Sequence, residues 1–246
     1  MISSVAGALR TGGTALLELF YPPVCLLCGV QEPGAGKKLC RGCLGALCAP
    51  PGPTCPRCGS DVGPFTHLAD GCPSCRNQKL HFDAVIRLGR YEDKLREACL
   101  KIKHVEGEPL ARELAELLAS ERQAALEAER ADVIVPVPLY WWRRLRRGFN
   151  QAEALAARLG KRLKVRVVTR AARRTRNTLP QAELTPPQRF DNVRGAFAAH
   201  SSRRLSGARV LVVDDILTTG ATCSELARAL KQAGASRVVA VVVAKS

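Results

Sequence analysis

The segment from Val210 to Thr222, with the sequence VLVVDDILTTGAT, constrains the fold of this chain more than any other. An unbroken aliphatic run ends at two adjacent carboxylates, Asp214 and Asp215, and a hydroxyl-rich turn then precedes a helix expected to begin near Cys223. Such a run is typical of a buried parallel strand, and α/β proteins bind ligands beyond the C-terminal ends of these strands. The free N–H groups of a helix start attract phosphate, while paired acids accept hydrogen bonds from sugar hydroxyls or bind Mg²⁺. The segment therefore predicts a binding site for a phosphorylated sugar.

The competing interpretation of this segment is an ordinary strand-to-helix turn in which an aspartate caps the helix. Two acids at the end of an aliphatic strand, followed by Thr-Thr-Gly-Ala-Thr, make that interpretation much the weaker one. The turn is not a Walker loop, because no Gly-Lys-Ser/Thr closes it.

The same segment resembles the loop with which phosphoribosyltransferases bind 5-phosphoribosyl-1-pyrophosphate (PRPP). The resemblance implies that Asp214 and Asp215 are catalytic residues that hold the ribose 2′ and 3′ hydroxyls, with Mg²⁺ accompanying PRPP. It also implies that the 5′-phosphate is held by Thr218, Thr219, Gly220, Ala221 and Thr222.

Alternating apolar strands and amphipathic segments follow one another along the rest of the chain. This alternation predicts an α/β domain with a mainly parallel sheet, over roughly residues 82–246. The predicted strands are 84–88, 133–138, 210–213 and 238–243, with 165–168 extended, and the predicted helices are 92–104, 108–130, 152–163 and 224–232. A short amphipathic helix is expected at residues 14–21, within an N-terminal segment that covers residues 1–22.

Eight of the eleven cysteines form four C-x-x-C pairs between residues 23 and 80. Two such pairs supply the four thiolates of a closed, structural Zn²⁺ site. Their order predicts two zinc ribbons, although an interleaved pairing uses the same residues and stays open at this point. The ribbons would use Cys25, Cys28, Cys40 and Cys43, and Cys55, Cys58, Cys72 and Cys75. Disulfides are the alternative, and a reducing compartment disfavours them. We interpret Cys48 and His67 as incidental, and Cys99 and Cys223 as structural.

The net charge of +16 is concentrated in the middle of the chain, where residues 140–209 hold eighteen Lys and Arg against three acids. Such a segment raises the local concentration of anions, and both pyrophosphate and a nucleic-acid backbone are candidates. A solvated basic face is the plainer interpretation for the outlying arginines. Aromatic residues beside cations also suit single-stranded nucleic acid, although the tryptophans could equally cover the edge of the sheet. The nucleic-acid candidates are Trp141, Trp142, Arg144 and Arg146.

Further motifs resemble the ComF family, the phosphoribosyltransferase-like proteins of bacterial competence. They are Pro136 to Leu139, the Arg-Gly-Phe-Asn-Gln-Ala block at 147–152, and the spaced set Arg174, Thr175, Gln181, Leu184, Arg189, Asn192, Val193 and Phe197. A zinc ribbon ahead of the transferase domain is also that family's arrangement. The resemblance implies a type I phosphoribosyltransferase-like domain behind a double zinc ribbon, in which basic loops meet pyrophosphate. The loop after the 133–138 strand and a mobile flap at 170–176 would contribute Arg143, Arg147 and Arg174.

Two functions from different classes follow from these residues. The first is a PRPP-dependent phosphoribosyltransferase, although no acceptor pocket or general base is recognisable in the sequence. The second is an accessory protein that binds single-stranded DNA and uses PRPP only as a ligand. The ComF resemblance implies a part in DNA uptake or DNA metabolism, with uptake or helicase machinery as partners. No apolar run is long enough to span a bilayer, and we expect a soluble, cytoplasmic protein without a signal peptide.

Overall fold

A computed structural model describes residues 23–30, 33–34, 36–48, 52–179, 184–200 and 203–246. The helix predicted at 14–21, the segment 1–22 and Gln181 lie outside these residues. The chain divides into two compact units, a first that ends at Ala46 and a second from Leu47 to Ser246. We describe each unit by itself.

The first unit contains one ribbon of the predicted pair. Its first C-x-x-C turn is closed by the Gly29 N–H, which donates to the Cys25 carbonyl over 2.8 Å, and Gly29 has a φ of +72°. The second C-x-x-C leads into a helix, α1 (Arg41–Leu47), that begins directly after Cys40. The two turns bring the four cysteines of this ribbon together.

The second unit contains the second ribbon and the sheet. Its strands are β1 (Ala84–Arg90), β2 (Val133–Pro136), β3 (Arg166–Val167), β4 (Ala172–Arg174), β5 (Phe197–Ala199), β6 (Arg209–Leu217) and β7 (Arg237–Lys245). Its helices are α2 (Asp93–Lys101), α3 (Glu108–Glu121), α4 (Gln123–Ala128), α5 (Trp141–Arg147), α6 (Gln151–Leu163), α7 (Pro186–Val193) and α8 (Ala221–Gln232). A single 3₁₀ turn, Val105–Gly107, lies between α2 and α3.

The main sheet has the strand order β1-β7-β6-β2-β3, and every pair in it is parallel. Helices cover both faces, which is why β7 and the first part of β6 are continuous aliphatic runs rather than alternating strands. Helix α6 packs on β2 and β6 with α3 against it, while α8 packs on β5, β6 and β7. Val210 and Val212 belong to the core cluster that includes α8 residues. Since side chains alternate along a strand, Leu211 and Val213 face the other side, toward α6.

The second ribbon is tied to the edge strand β1. The Val85 N–H donates to the Pro56 carbonyl over 3.0 Å. The buried guanidinium of Arg87 pairs with Asp61 of the ribbon. Gly59 has a φ of +73°, and a Cβ on it would lie 2.7 Å from the Val85 side chain, so this contact requires glycine. The second ribbon is therefore packed on the parallel sheet.

The predicted α/β class and parallel sheet are confirmed, with differences in individual elements. The helix predicted at 108–130 is divided at Arg122 into α3 and α4, and β6 continues past both acids to Leu217. Two segments predicted as basic loops contain regular structure: α5 follows β2, and β4 lies within residues 170–176, paired antiparallel with β5. Helix α7 was not predicted. In the described part of the chain, no helix is long and apolar enough to cross a membrane.

Candidate ligand site at the C-terminal edge of the sheet

The two predicted catalytic acids lie near the end of the central strand β6. Because neighbouring side chains on a strand point to opposite faces, Asp214 lies on the α8 face and Asp215 on the α6 face. The cysteine neighbours agree with this. Burial and then the Asp214 charge raise the pKa of Cys223 on α8, whereas burial and then the Asp215 charge raise the pKa of Cys99 on α2. The strand thus presents one carboxylate at each side of the same edge.

Asp215 is 6% exposed, and its Oδ2 lies 3.3 Å from the ammonium of Lys103, beyond the end of α2. This ion pair lacks hydrogen-bond geometry, and Oδ2 makes no hydrogen bond with any described residue. The charge of the carboxylate is therefore compensated, while Oδ2 is buried without a hydrogen bond from the described residues.

Asp214 keeps partial solvent exposure although protein surrounds most of it. Its Oδ1 accepts the backbone N–H of Asp215 over 2.9 Å. Burial, followed by the adjacent Asp215 carboxylate, raises the pKa of Asp214 well above its ordinary value. A group whose charge is this poorly compensated gains from a ligand that brings hydroxyl donors or a cation.

The turn after β6, where the sequence predicts a phosphate site, is built around Gly220. Gly220 has a φ of +81°, and a Cβ on it would lie 3.2 Å from the ring of Phe82, so both conformation and space favour glycine. The Thr219 hydroxyl accepts the Ala221 N–H over 3.4 Å, and α8 then runs for twelve residues. The hollow enclosed by residues 216–223 has a volume of only about 20 Å³, so a phosphate would rest on the turn.

The second predicted group, the arginines after β2, is displayed by helix α5. Gly148 ends this helix in the left-handed conformation, with a φ of +75°. Asn150 then caps α6: its Oδ1 accepts the Ala152 N–H over 3.1 Å, and its amide donates to the Val137 carbonyl over 3.1 Å. The Asn thereby fixes how the helix α5 sits above the end of β2.

Arg174 on β4 and Arg143 on α5 converge on one residue, Thr178. The Arg143 guanidinium donates to the Thr178 carbonyl over 2.6 Å, and that of Arg174 donates to the Thr178 hydroxyl. Burial, then the charge of Arg143, lowers the pKa of Arg174 to about 10, while Asp214 opposes this shift. Burial, then Arg147 and Arg146, also lowers the pKa of Arg143. The guanidiniums repel one another and are held by neutral groups.

Two cavities surround these arginines. The larger, of about 800 Å³, is lined by Trp142, Arg143, Arg146, Arg147, Arg176, Asn177, Thr178, Leu179 and Asn192. The smaller, of about 320 Å³, is lined by Lys103, His104, Val105, Arg146 and Arg147. Arg146 and Arg147 line both, so a cationic surface extends from the larger cavity to the lysine that pairs with Asp215.

The structure thus brings some predicted residues together and separates others. Arg143, Arg147 and Arg174 belong to one cluster, and Trp142 and Arg146 join it. Arg144 instead pairs with Glu153 over 2.7 Å, and Trp141 does not line the larger cavity but packs edge-on against Trp142. The tryptophans are 63% and 51% exposed, so at least half of each side chain is open to solvent.

Lys103 and Thr178 were missed by the sequence reasoning. Neither lies in a recognisable motif, and each meets its partner only through folding. Asn192, by contrast, was among the residues of the family resemblance, and its amide makes two 3.0 Å hydrogen bonds with the Leu179 backbone. This contact holds one wall of the larger cavity.

The eight paired cysteines form two compact groups, as predicted, and not the interleaved arrangement. The groups are Cys25, Cys28, Cys40 and Cys43, and Cys55, Cys58, Cys72 and Cys75. Four thiolates in a tetrahedron around Zn²⁺, at about 2.3 Å, have sulfurs about 3.8 Å apart. The sulfur separations include 4.0 Å for Cys28–Cys40, 3.8 Å for Cys55–Cys75 and 3.5 Å for Cys58–Cys72. Both groups therefore fit structural Zn²⁺. Cys48 and His67 belong to neither, and Cys99 and Cys223 are buried.

Comparison with known proteins agrees with this architecture. Residues 105–246 match the phosphoribosyl transferase domain, and residues 16–77 match the double zinc ribbon domain. Competence protein F of Haemophilus influenzae is 29% identical over 223 residues, which cover 89% of this chain and 95% of that protein. DNA utilization protein YhgH of Escherichia coli K12 is 30% identical over 226 residues, which cover 89% of this chain and 96% of the relative. With both domain matches and full-length similarity in hand, we conclude that the chain belongs to the ComF family of phosphoribosyltransferase-fold proteins with a double zinc ribbon.

Proposed function

We propose that the domain at residues 82–246 binds PRPP together with Mg²⁺ at the C-terminal edge of its sheet. The observation that carries this proposal is the placement of Asp214 and Asp215 between a phosphate-type turn and a cluster of unneutralised arginines. The two acids accept the ribose hydroxyls, and the turn 218–222 donates backbone N–H groups to the 5′-phosphate. Mg²⁺ bound with PRPP would be attracted by Asp214 and Asp215 and would supply positive charge to the site.

The arginine cluster provides the pyrophosphate end of this site. Arg143, Arg147 and Arg174 present forked N–H donors that match phosphate oxygens. An anion between them relieves the repulsion that lowers the pKa of Arg143 and Arg174. If pyrophosphate leaves the ribose, these same groups stabilise the charge that develops on it.

We propose a role for this site in DNA uptake or DNA metabolism. The relatives named Competence protein F and DNA utilization protein YhgH motivate the proposal. In the enzymatic form, an acceptor nitrogen attacks the ribose C1 carbon, the C1–oxygen bond breaks, and pyrophosphate leaves with the bonding electrons. In the alternative form, PRPP is bound without turnover and controls contact with single-stranded DNA or with uptake and helicase machinery.

The binding proposal is tested by calorimetry of the zinc-loaded protein with PRPP and Mg²⁺. The double variant Asp214→Asn/Asp215→Asn should lose at least 100-fold in affinity, because it removes both acids that accept the ribose hydroxyls and attract Mg²⁺. Asp191→Asn is the matched control, since that exposed acid pairs only with Arg194 in the described part of the chain. Unchanged affinity in the double variant would remove the PRPP proposal.

The two forms of the proposal are separated by incubation with PRPP, Mg²⁺ and single-stranded DNA. Release of pyrophosphate that requires the DNA, with a covalent ribosyl adduct on it, identifies a transferase. Saturable PRPP binding with no pyrophosphate release identifies a ligand-controlled binder. Release without DNA points to a different acceptor or to hydrolysis.

Binding of single-stranded DNA is a second candidate function, favoured by the exposure of Trp141 and Trp142. Exposed aromatic rings stack on bases, and Arg146 and Arg144 nearby can contact phosphates. Replacing both tryptophans with alanine should weaken binding of an oligothymidylate about tenfold or more, because each stacked base contributes about 1–3 kcal/mol.

Fluorescence anisotropy at several salt concentrations measures this effect. Trp→Phe at both positions is the conservative control, because it keeps a stacking ring. DNA binding at this face would be contradicted if the wild-type affinity did not fall with salt. It would also be contradicted if the alanine and phenylalanine variants bound the oligonucleotide equally well.

A further inference from the structure

A second cavity of about 810 Å³ lies between α7, α8 and the end of the second ribbon, and it adjoins the proposed PRPP site, with which it shares Ala221. It is lined by Asn77, Gln78, Lys79, His81, Pro186, Pro187, Phe190, Val193, Arg194, Gly195, Ala221, Ser224, Glu225 and Arg228. This volume is within the range of small-molecule and cofactor sites, about 300–1,000 Å³. None of the arginines of the larger basic cavity, and neither acid of β6, lines it.

The inner wall of this cavity is polar and firmly held. Glu225 is buried, and its Oε1 accepts the Gly195 N–H over 2.7 Å and the Arg228 guanidinium over 2.6 Å. Its Oε2 accepts only the second Arg228 bond, over 3.0 Å, among the recorded hydrogen bonds. Although burial opposes ionisation, the bonds from Arg228 and Gly195 hold the pKa of Glu225 below its ordinary value. A charged acceptor thus faces the cavity.

His81 and Ser224 form the adjoining part of that wall. The Ser224 hydroxyl accepts the His81 backbone N–H over 3.0 Å and lies 3.1 Å from His81 Nδ1. Burial lowers the pKa of His81, which keeps the ring neutral. A neutral imidazole offers one donor or one acceptor at its free nitrogen, so it suits a polar, uncharged group of a ligand.

Another part of the lining is apolar. It consists of Pro186, Pro187 and the partly buried ring of Phe190, which packs on the core from α7. An aromatic ring beside prolines provides a surface against which a planar heterocycle can stack. The first turn of α7 is fixed by a capping box between Thr185 and Gln188, so this wall is held in place.

The rim of the cavity is cationic. Arg194 pairs with Asp191 over 2.7 Å, and Arg228 pairs with Glu225. Lys79 is exposed and has no recorded acidic partner among the described residues. An unneutralised cation at the mouth of a pocket favours an anionic group on the part of the ligand that faces solvent.

We propose that this cavity binds a nucleoside 5′-monophosphate, with the base between Phe190 and the polar wall and the phosphate at Lys79. A peptide fits these observations less well, because the cavity is small and combines one flat aromatic wall with buried charged and neutral acceptors. The two sites share Ala221 but no acid and no arginine, so the polar groups proposed to bind AMP are distinct from those proposed to bind PRPP.

The test is a calorimetric titration of the zinc-loaded protein with AMP, with adenosine and with ribose 5-phosphate. AMP should bind saturably. Phe190→Leu keeps the apolar volume but removes the stacking ring, and should weaken both AMP and adenosine about tenfold. Lys79→Gln should weaken AMP about fivefold and leave adenosine unchanged. Lys161→Gln, an exposed lysine on α6, is the matched control and should change neither.

Crosslinking with 8-azido-AMP provides a readout that does not rely on variants. Label on peptides containing residues 77–81 or 186–195 supports the proposal. Absence of saturable AMP binding overturns it. It is also overturned if PRPP displaces AMP and the label falls on residues 140–150 or 214–219, since AMP would then occupy the proposed PRPP site.

Discussion

The acids of β6 and the arginines of α5 and β4 carry opposite charges, and the protein compensates them in different ways. Asp215 has an ion pair with Lys103, and Asp214 is held in a less charged state by burial. Among the described residues, Arg143 and Arg174 have no such counter-charge in contact, and they are held by the carbonyl and hydroxyl of Thr178. The charge of the acids is thus reduced by a lysine and by burial. The arginines are held by neutral acceptors that a pyrophosphate could replace.

The largest effect on this comparison is expected from Arg174→Gln, because the pKa of Arg174 is shifted by burial and then by the charges of Arg143 and Asp214. PRPP affinity should fall about 100-fold, since removing a desolvated charge that meets an opposite charge costs about 2–5 kcal/mol. Calorimetry with Mg²⁺ measures the loss. Arg173→Gln, the exposed neighbour on the same strand, should change affinity less than threefold. Equal losses in the two variants would show that β4 contributes only general positive charge.

An intermediate effect is expected from Lys103→Met, which leaves the buried Asp215 carboxylate without its cation. The free energy of unfolding should fall by about 2 kcal/mol at neutral pH, because an unpaired buried charge is costly. Urea denaturation measures this change. Adding Asp215→Asn should restore most of the stability.

Lys101→Met is the control for that prediction, because Lys101 pairs with Glu97 over 3.2 Å at the exposed surface. Such pairs contribute about 0–1 kcal/mol. If both lysine variants lose the same stability, the pair between Lys103 and Asp215 has no special role.

The smallest effect is a gain in stability, whereas the variants above lose affinity or stability. Because the pKa of Asp214 is raised in the folded protein, the folded state is less stable wherever the unfolded state has released this proton. Asp214→Asn should therefore stabilise the PRPP-free protein by about 1 kcal/mol or more at pH 7, at about 1.4 kcal/mol for each pKa unit.

This gain should be absent below about pH 4, the ordinary aspartate value, and should grow as the pH rises from there toward the raised pKa. Denaturation midpoints between pH 4 and pH 8 test the slope. The same variant should bind PRPP more weakly, so stability and affinity should change in opposite directions. A variant that is less stable throughout this range would contradict the unfavourable burial of Asp214.

The sequence allowed the acids, the turn and the parallel sheet to be predicted because each depends on a local pattern. Aliphatic runs identify β6 and β7, and Gly220 with its hydroxyl neighbours identifies the turn. The cysteine pairs likewise predict their own ribbons through spacing. These features depend little on residues distant in the chain.

The rest of the site depends on contacts that the chain makes only after folding. Lys103 meets Asp215 across the loop after α2, and Thr178 meets two arginines from different elements. Strands β4 and β5 have three residues each and no valine run, so only their mutual pairing defines them. Helix α7 did carry a local signal, since Thr185 and Gln188 have the spacing of a capping box before a proline-led helix.

The contact between the second ribbon and β1 has a consequence for aggregation. Strand β1 is at the end of the sheet order, and such a strand presents free backbone groups that can pair with another chain. In β1, the Val85 N–H donates to the Pro56 carbonyl. The Arg122 guanidinium donates to the Arg87 and Leu88 carbonyls of the same strand, over 2.9 Å and 2.7 Å. The ribbon that holds Pro56 depends on its bound metal for its fold. Chelation of zinc would therefore uncover part of a β-edge, and self-association of the protein would be its visible sign.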